Sequence, residues 1–151
     1  MSAMPEILVH TEDAVMTIAL NRVEKKNSLT AAMYAHLSDA LDSAASDAAV
    51  RVVVFQGHAL IFSAGNDIKD FLSVPPNDSD APVFRFLRAL STFAKPLVAA
   101  VCGPAVGIGT TMLLHCDLVY AGDNAAFSLP FVNLGLCPEA ASSLLMPQRM
   151  G

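Results

Sequence analysis

Short runs of β-forming residues recur along the chain and predict strands. The apolar residues between positions 7 and 20 flank a polar turn, a pattern that predicts a β-hairpin. Two later runs, 51–56 and 97–102, are largely apolar and predict strands that are covered on both faces. Two shorter runs, 117–121 and 126–129, predict two further strands.

Apolar residues spaced three or four positions apart predict helices between these strands. After Thr30, a candidate N-cap, such a stripe predicts a helix to about Ser46. A second stripe spans 83–93, and shorter helices are predicted at 107–114 and from 140 to 150. Because strands and helices interleave, the sequence predicts an α/β layered domain.

The composition indicates a folded, self-associating chain. Hydrophobic residues make up 54% of the 151 residues and charged residues only 15%, which argues against disorder. So many hydrophobic residues provide more apolar surface than a small domain can bury by itself, so self-association is expected. The net charge is −5 and lysine and arginine do not cluster, so nucleic acid is not expected as a partner.

The cysteines and the first residues of the chain indicate the cellular compartment in which the protein is expected. The three cysteines are Cys102, Cys116 and Cys137, and the N-terminus lacks the basic and apolar segments of a secretory signal. An odd cysteine count without such a signal is typical of a reducing compartment, so a cytoplasmic protein is expected.

The longest apolar run, 97–102, is too short to cross a bilayer, so no membrane partner is expected. His115 and the cysteines form no C-x-x-C or H-x-x-x-H pair, so no metal is expected.

Two of the apolar runs lead into turns of small residues. The first turn is F-S-A-G-N-D-I-K at 62–69. The second turn ends the segment K-P-L-V-A-A-V-C-G-P-A-V-G-I-G at 95–109. Gly107 and Gly109 allow the backbone to approach a ligand closely, and the start of a helix leaves N–H groups without partners. Two such turns can together bind one developing negative charge, which enzymes that form enolates from thioesters require.

Two more segments complete a family pattern: N-R-V-E-K-K-N-S-L at 21–29 and C-D-L-V-Y-A-G-D-N-A-A-F at 116–127. In chain order, the four segments resemble motifs of the crotonase, or enoyl-CoA hydratase/isomerase, superfamily. The resemblance implies an α/β fold built as a spiral of ββα units, usually assembled as trimers or pairs of trimers. It also implies an acyl-CoA thioester as the substrate, with coenzyme A entering as part of it and no separate cofactor. For this chain we therefore expect a homotrimer or a hexamer.

The resemblance also implies roles for individual residues. The backbone N–H groups of Asn66 and Ile108, the latter next to Gly107, correspond to the two donors that bind the oxyanion. Lys25 or Lys26 corresponds to a basic residue near the phosphates of coenzyme A. The turn expected to contact the pantetheine and adenine parts of coenzyme A consists of Ser63, Ala64, Gly65, Asn66, Asp67 and Ile68.

The carboxylates indicate which reaction to expect. Hydratases of the family use two glutamates, at positions that correspond here to Thr111 and Phe131. Neither side chain is a general base near neutral pH, so water addition by that route is not expected. Glu139 stands in P-E-A-A-S-S, a form that resembles the Δ3,Δ2-enoyl-CoA isomerases of the peroxisomal type and their bacterial relatives. There this glutamate is the single acid/base, which takes a proton from C2 of a 3-enoyl thioester and returns it at C4. Apolar neighbours, including Phe131 and Leu134, are expected to raise the pKa of Glu139.

Other functions stay open at this point. Hydration of 2-enoyl-CoA or another enolate reaction would use the same oxyanion turns, and a non-catalytic acyl-CoA-binding homologue would need no base. The family domain normally continues for about another hundred residues, on the usual size of an α/β domain. Residues 1–151 are therefore expected to form an incomplete crotonase-like core without its C-terminal helices.

Overall fold

The computed structural model describes residues 4–73 and 75–151. Their strands are β1 (Ile7–Glu12), β2 (Val15–Leu20), β3 (Val52–Gln56), β4 (Leu97–Val101), β5 (Pro104–Val106), β6 (Leu118–Ala121) and β7 (Ala126–Ser128). Their helices are α1 (Ala31–Ser46), α2 (Ile68–Ser73), α3 (Pro82–Thr92), α4 (Ile108–Thr111) and α5 (Ser142–Met150). Short 3-10 turns lie at Val23–Lys25, Met112–His115 and Val132–Leu134.

The main sheet has the strand order β1-β2-β3-β4-β6. β1 and β2 form the predicted antiparallel hairpin, and its two turn residues, Asp13 and Ala14, both have positive φ, as a type I′ turn requires. From β2 to β6 the neighbouring strands are parallel. The carboxyl ends of β3 and β4 therefore meet at one edge of the sheet, and both small-residue turns follow these ends.

A second, two-stranded sheet pairs β5 with β7 in parallel. Ser63 forms a bridge to Ala105 of β5, and Asn66 forms a bridge to Leu29, just before α1. The first small-residue turn therefore lies between the second sheet and the start of α1.

The core lies between α1, α3 and one face of the main sheet. The predicted stripe of α1 is buried, and it consists of Met33, Leu37, Ala40, Leu41 and Ala44. The hydroxyl of Thr30 accepts a hydrogen bond from the Met33 N–H at 3.2 Å, which confirms the predicted N-cap. Ile18, Phe55 and Phe86 fill the core from the strands and from α3.

Three local predictions were wrong. β3 and β4 are not covered on both faces: Val52 and Val54 are only half-buried and Ala100 is exposed, because the helices pack on one face. The helix predicted at 107–114 ends at Thr111 and continues as a 3-10 turn. β5 lies in a segment that was expected to be a turn, and α2 was not predicted at all. Among the described residues, no helix combines the length and the apolarity that a membrane span needs.

Candidate active site

The two small-residue turns contact each other through their backbones. Gly65 lies at φ +91°, and a Cβ atom there would be 2.9 Å from the carbonyl oxygen of Val106. Glycine is required here, because a side chain would be strained and would clash. The Val106 N–H donates to the carbonyl of Ser63 at 2.9 Å, so the first turn is fixed against β5.

A buried asparagine, Asn27, holds the first turn from its other side. Its Nδ2 donates to the carbonyl of Phe62 at 3.1 Å, and its own carbonyl accepts from Ser63 Oγ at 2.8 Å. Ser63 Oγ in turn accepts from the Gly65 N–H at 3.1 Å. The side chain of Ser63 is thus used inside the turn.

Asp67 ends this turn and begins α2. Its Oδ2 lies 2.7 Å from Nη1 of Arg22, and its Oδ1 accepts from the Asp70 N–H at 3.1 Å. The hydrogen bond from Arg22, followed by that from the Asp70 backbone, lowers the pKa of the Asp67 carboxyl below its usual value. Because both oxygens are engaged, Asp67 stabilises the turn.

The second turn brings Gly107 to the start of α4. Gly107 has φ 56° and ψ −121°, a backbone conformation that favours glycine. Its N–H donates to the carbonyl of Ser128 in β7 at 2.9 Å, and the side chain of Ile108 is fully buried. Within the described part of the chain, the backbone N–H groups of Asn66 and Ile108 have no hydrogen-bond acceptor.

Both turns open into one cavity of about 330 Å³. Nine of the residues singled out from the sequence line it: Ala64, Gly65, Asn66, Ile68, Gly107, Ile108, Phe131, Leu134 and Glu139. The other lining residues are apolar: Phe71, Leu72, Val106, Pro130 and Leu136. A carboxylate, an apolar wall and the two residues whose N–H groups have no acceptor therefore border one space.

Glu139 is the carboxylate of this cavity. Its Oε1 is buried without a hydrogen-bond partner among the described residues. Burial raises the pKa of the Glu139 carboxyl, and hydrogen bonding by the side chain of Asn66 opposes this rise. The following residues, Ala140 and Ala141, both have positive φ, and His115 Nε2 lies 2.8 Å from the Ala140 carbonyl oxygen. A carboxylate that is largely buried and has one oxygen without a partner is suited to proton transfer.

A tyrosine that was not predicted from the sequence lies behind the cavity. Tyr34 is buried in α1, and its hydroxyl donates to Oδ1 of Asn66. Burial, followed by the nearby Glu139, raises the pKa of Tyr34 well above its usual value. A signal existed: Tyr34 lies one turn before Leu37 on the apolar stripe, and a buried tyrosine hydroxyl needs a partner.

Four residues named from the sequence do not line the cavity. Lys25 and Lys26 are exposed, although the carbonyl of Lys26 accepts from the Ala64 N–H at 2.9 Å. Ser63 and Asp67 are engaged in the turn itself. The turn and the lysine loop are thus adjacent, but the lysine side chains lie outside the cavity.

The two positions of the hydratase glutamates differ in their surroundings. Thr111 is fully buried, does not line the cavity, and its hydroxyl has no partner among the described residues. Phe131 is buried and forms part of the cavity wall. Among the residues that line the cavity, Glu139 is the only acidic one.

The cysteines and histidines do not assemble into a metal site in the part of the chain that the structure describes. Cys116 is buried, and burial raises the pKa of its thiol to about 12. Cys102 is half-buried and Cys137 is exposed, and all three thiols are free.

Comparison with known proteins identifies the family. A family model described as "Enoyl-CoA hydratase/isomerase" matches residues 10–151. The chain belongs to the enoyl-CoA hydratase/isomerase family. The resemblance drawn from the four motifs is thereby confirmed.

Relatives of this enoyl-CoA hydratase/isomerase chain carry the names of both reactions. Enoyl-CoA delta isomerase 2 of Rattus norvegicus is 43% identical over 151 residues, which are 96% of this chain and 38% of the relative. The 2,3-dehydroadipyl-CoA hydratase of Escherichia coli (strain K12) is 36% identical over 98% of this chain and 58% of the relative. The chain spans between about two fifths and three fifths of these relatives' lengths.

A solved structure confirms the crotonase-like α/β fold of this family member. OdaA of Pseudomonas aeruginosa superimposes with a TM-score of 0.92 and is 55% identical, over 97% of this chain and 59% of that protein.

Proposed function

We propose that the protein shifts the double bond of a 3-enoyl-CoA thioester to the 2-position through a thioester enolate, with Glu139 as its single acid/base. The observation that carries this proposal is the unpaired, buried Oε1 of Glu139 in a cavity that is also lined by Asn66 and Ile108, whose backbone N–H groups have no acceptor among the described residues. Each of the three groups has one role in such a reaction.

The two N–H groups would bind the thioester oxygen. Removal of a proton from C2 moves the electrons of the C–H bond toward that oxygen and creates an enolate. Backbone donors fixed before the reaction stabilise this charge without reorganisation. Gly65 and Gly107 support this role, because their positive φ angles fix both turns where a side chain would be strained.

Glu139 would carry the proton. Its ionised carboxylate takes the proton from C2, and the resulting carboxylic acid returns it to C4, so that the double bond moves and no atom is gained or lost. One carboxylate is sufficient because no water is added. The raised pKa of Glu139 supports this role, because a base with a pKa nearer to the working pH transfers protons in both directions more readily.

The apolar wall supports an acyl chain as the ligand of this cavity. Phe131 and Leu134 contribute to that wall, and Ala64 and Ile68 line it where the thioester arm would enter. In this proposal coenzyme A enters as part of the substrate, Lys25 or Lys26 lies near its phosphates, and no separate cofactor takes part. The active form would be a homotrimer or a hexamer.

Hydration of 2-enoyl-CoA is the second candidate, since one relative is named a hydratase. Adding water calls for a second carboxylate to hold and activate it in the family's usual route. Thr111 and Phe131 occupy those two positions, and Phe131 presents an aromatic ring to the cavity. The isomerase reaction is therefore preferred.

The test is Glu139→Gln in the protein expressed from its complete gene. Turnover of 3-enoyl-CoA is expected to fall about 10²- to 10⁴-fold, the usual contribution of a general base, while binding of a substrate analogue persists. Glu12→Gln, on exposed strand β1, is the matched control and is expected to keep wild-type turnover. Near-normal turnover in Glu139→Gln would refute the role of Glu139, and binding without any turnover in the wild type would favour the non-catalytic alternative.

A further inference from the structure

We propose that Tyr34 is a positioning residue, which orients the Asn66 side chain so that its amide N–H faces Glu139 and its oxygen does not. The inference rests on the proposed function, because it concerns how the acid/base is held. It assigns a role to a residue of α1 that does not itself line the cavity.

The hydrogen bond between Tyr34 and Asn66 carries the argument. An asparagine amide has an oxygen that accepts and a nitrogen that donates, and a half-turn about its last bond exchanges them. The Tyr34 hydroxyl donates to Oδ1, so the amide oxygen is engaged on the side of α1. The amide nitrogen is thereby free of that bond, and Asn66 and Glu139 line the same cavity. The Asn66 side chain favours the ionised form of Glu139, which lowers the pKa of its carboxyl against the effect of burial.

Tyr34 is itself rigid enough for this role. Its side chain is 3% exposed, and its ring packs against Phe86 of α3 with the ring centroids 5.6 Å apart. Its own carbonyl accepts from Ser38 Oγ at 2.9 Å, one turn later in α1. The position of the hydroxyl is therefore set by the core and not by the cavity.

The surroundings of Glu139 offer little else to orient it. Tyr34 of α1 and Asn66 of the first turn interact electrostatically with Glu139. From the 3-10 turn before β6, His115 Nε2 lies 2.8 Å from the carbonyl oxygen of Ala140, the residue after Glu139. Burial and the side chain of Asn66 account for the shift in the pKa of the Glu139 carboxyl. Among the described residues, no charged side chain contributes to this shift. With Oε1 unpartnered, Asn66 is the polar group that restrains this carboxylate.

The chemical benefit is that one carboxylate is held for two proton transfers. Glu139 must stay in place while it takes a proton at C2 and delivers it at C4. An amide with its oxygen turned toward the ionised carboxylate would repel it, and a freely rotating amide would sample both states. Tyr34 suppresses the unfavourable orientation without touching the substrate.

The experiment is Tyr34→Phe, with Tyr120→Phe as the matched control, in the protein expressed from its complete gene. The titration of Glu139 is followed by carbon NMR of labelled glutamate, with Glu139→Gln to assign the signal. Tyr34→Phe is expected to raise the pKa of Glu139 relative to wild type, because the amide no longer holds its stabilising orientation. Tyr120 is exposed on β6, so Tyr120→Phe is expected to leave the titration unchanged.

Kinetics give the second readout. For Tyr34→Phe the acidic limb of kcat/KM is expected to move to higher pH, with kcat about two- to tenfold lower, the worth of one neutral hydrogen bond, and KM unchanged. Asn66→Ala is expected to shift the titration in the same direction. Tyr34→Phe in that background is expected to add nothing, because Tyr34 acts through Asn66.

An unchanged titration in folded Tyr34→Phe, or additive effects of the two substitutions, would overturn the inference. If Tyr34→Phe does not fold, an unchanged titration in Asn66→Ala overturns it equally. If the wild type shifts no double bond, the proposed function fails, but the titration still decides whether Tyr34 and Asn66 control Glu139.

Discussion

Ile108 borders the cavity, and its side chain is buried in the core. Ile108→Pro removes the N–H and is expected to lower kcat about 10²- to 10³-fold, the effect of losing one oxyanion donor. Ile108→Val keeps the N–H and is expected to keep kcat, at a cost of about 0.5–1.5 kcal/mol in the free energy of unfolding. Steady-state kinetics of both variants checks this, and a Pro variant with wild-type kcat would contradict the role of this donor.

Asp67 should make the free energy of unfolding depend on pH in the acidic range. Its folded pKa is lowered by Arg22, so its stabilising contribution is present above the unfolded pKa of about 3.9 and is lost as the pH falls through the folded value. Asp67→Asn is expected to lower the free energy of unfolding at pH 7 by about 1–3 kcal/mol, and the difference from wild type should shrink in acid. Urea unfolding at several pH values measures it, with Asp123→Asn, at an exposed position, as the control. A difference that stays constant down to the most acidic pH would show that Asp67 is not the group responsible.

Nine residues of the cavity wall could be predicted, but the rest of the wall and the residues behind it could not. Asn66, Ile108 and Glu139 lie in short segments that resemble family motifs, and the resemblance marked them as candidates. Asn27 and Tyr34 act through partners more than 30 positions away. Nothing in the local pattern says which buried polar groups will meet, because that depends on how the layers pack.

Among the elements, α1 carries a cap that can be tested directly. Thr30→Ala removes the acceptor for the Met33 N–H and is expected to cost about 0.5–2 kcal/mol in the free energy of unfolding. Thr30→Ser retains the hydroxyl and is the control, expected to stay near wild type. Chemical denaturation of both variants provides the measurement, and equal stabilities would show that the cap contributes nothing.

The elements that were predicted show a pattern in the local sequence, and those that were missed do not. The stripe and the cap of α1 give its bounds to within a residue or so. In contrast, α2 buries none of its residues in the core, because Ile68, Phe71 and Leu72 line the cavity instead. β5 has three residues and exists through its pairing with β7, which no local pattern shows.

At the scale of the molecule, the cavity predicts reaction selectivity. With Thr111 and Phe131 at the hydratase positions, the protein from its complete gene is expected to hydrate 2-enoyl-CoA far more slowly than it shifts the double bond of 3-enoyl-CoA. The two rates are compared from the formation and the loss of the conjugated enoyl thioester absorbance. Comparable rates would mean that another group activates water.

The edge of the main sheet predicts association of the segment 1–151 expressed alone. β6 ends the strand order and carries exposed Leu118 and Tyr120, 55% and 66% accessible. An apolar strand at a sheet edge is a site for association. Sedimentation is expected to show oligomers or aggregates, and Leu118→Glu with Tyr120→Glu is expected to reduce them. A sharp monomer with a cooperative melt would contradict this.

The close approach of Gly65 to Val106 affects how the reaction of such a site can change in evolution. In the proposed reaction, the charge of the intermediate is held by main-chain groups, and a turn that excludes side chains sets their position. Substitutions at 111, 131 or 139 change where protons and water go, yet leave the donors in place. A lineage with this turn could therefore exchange one reaction for another through a few side chains, without first losing the ability to stabilise an enolate.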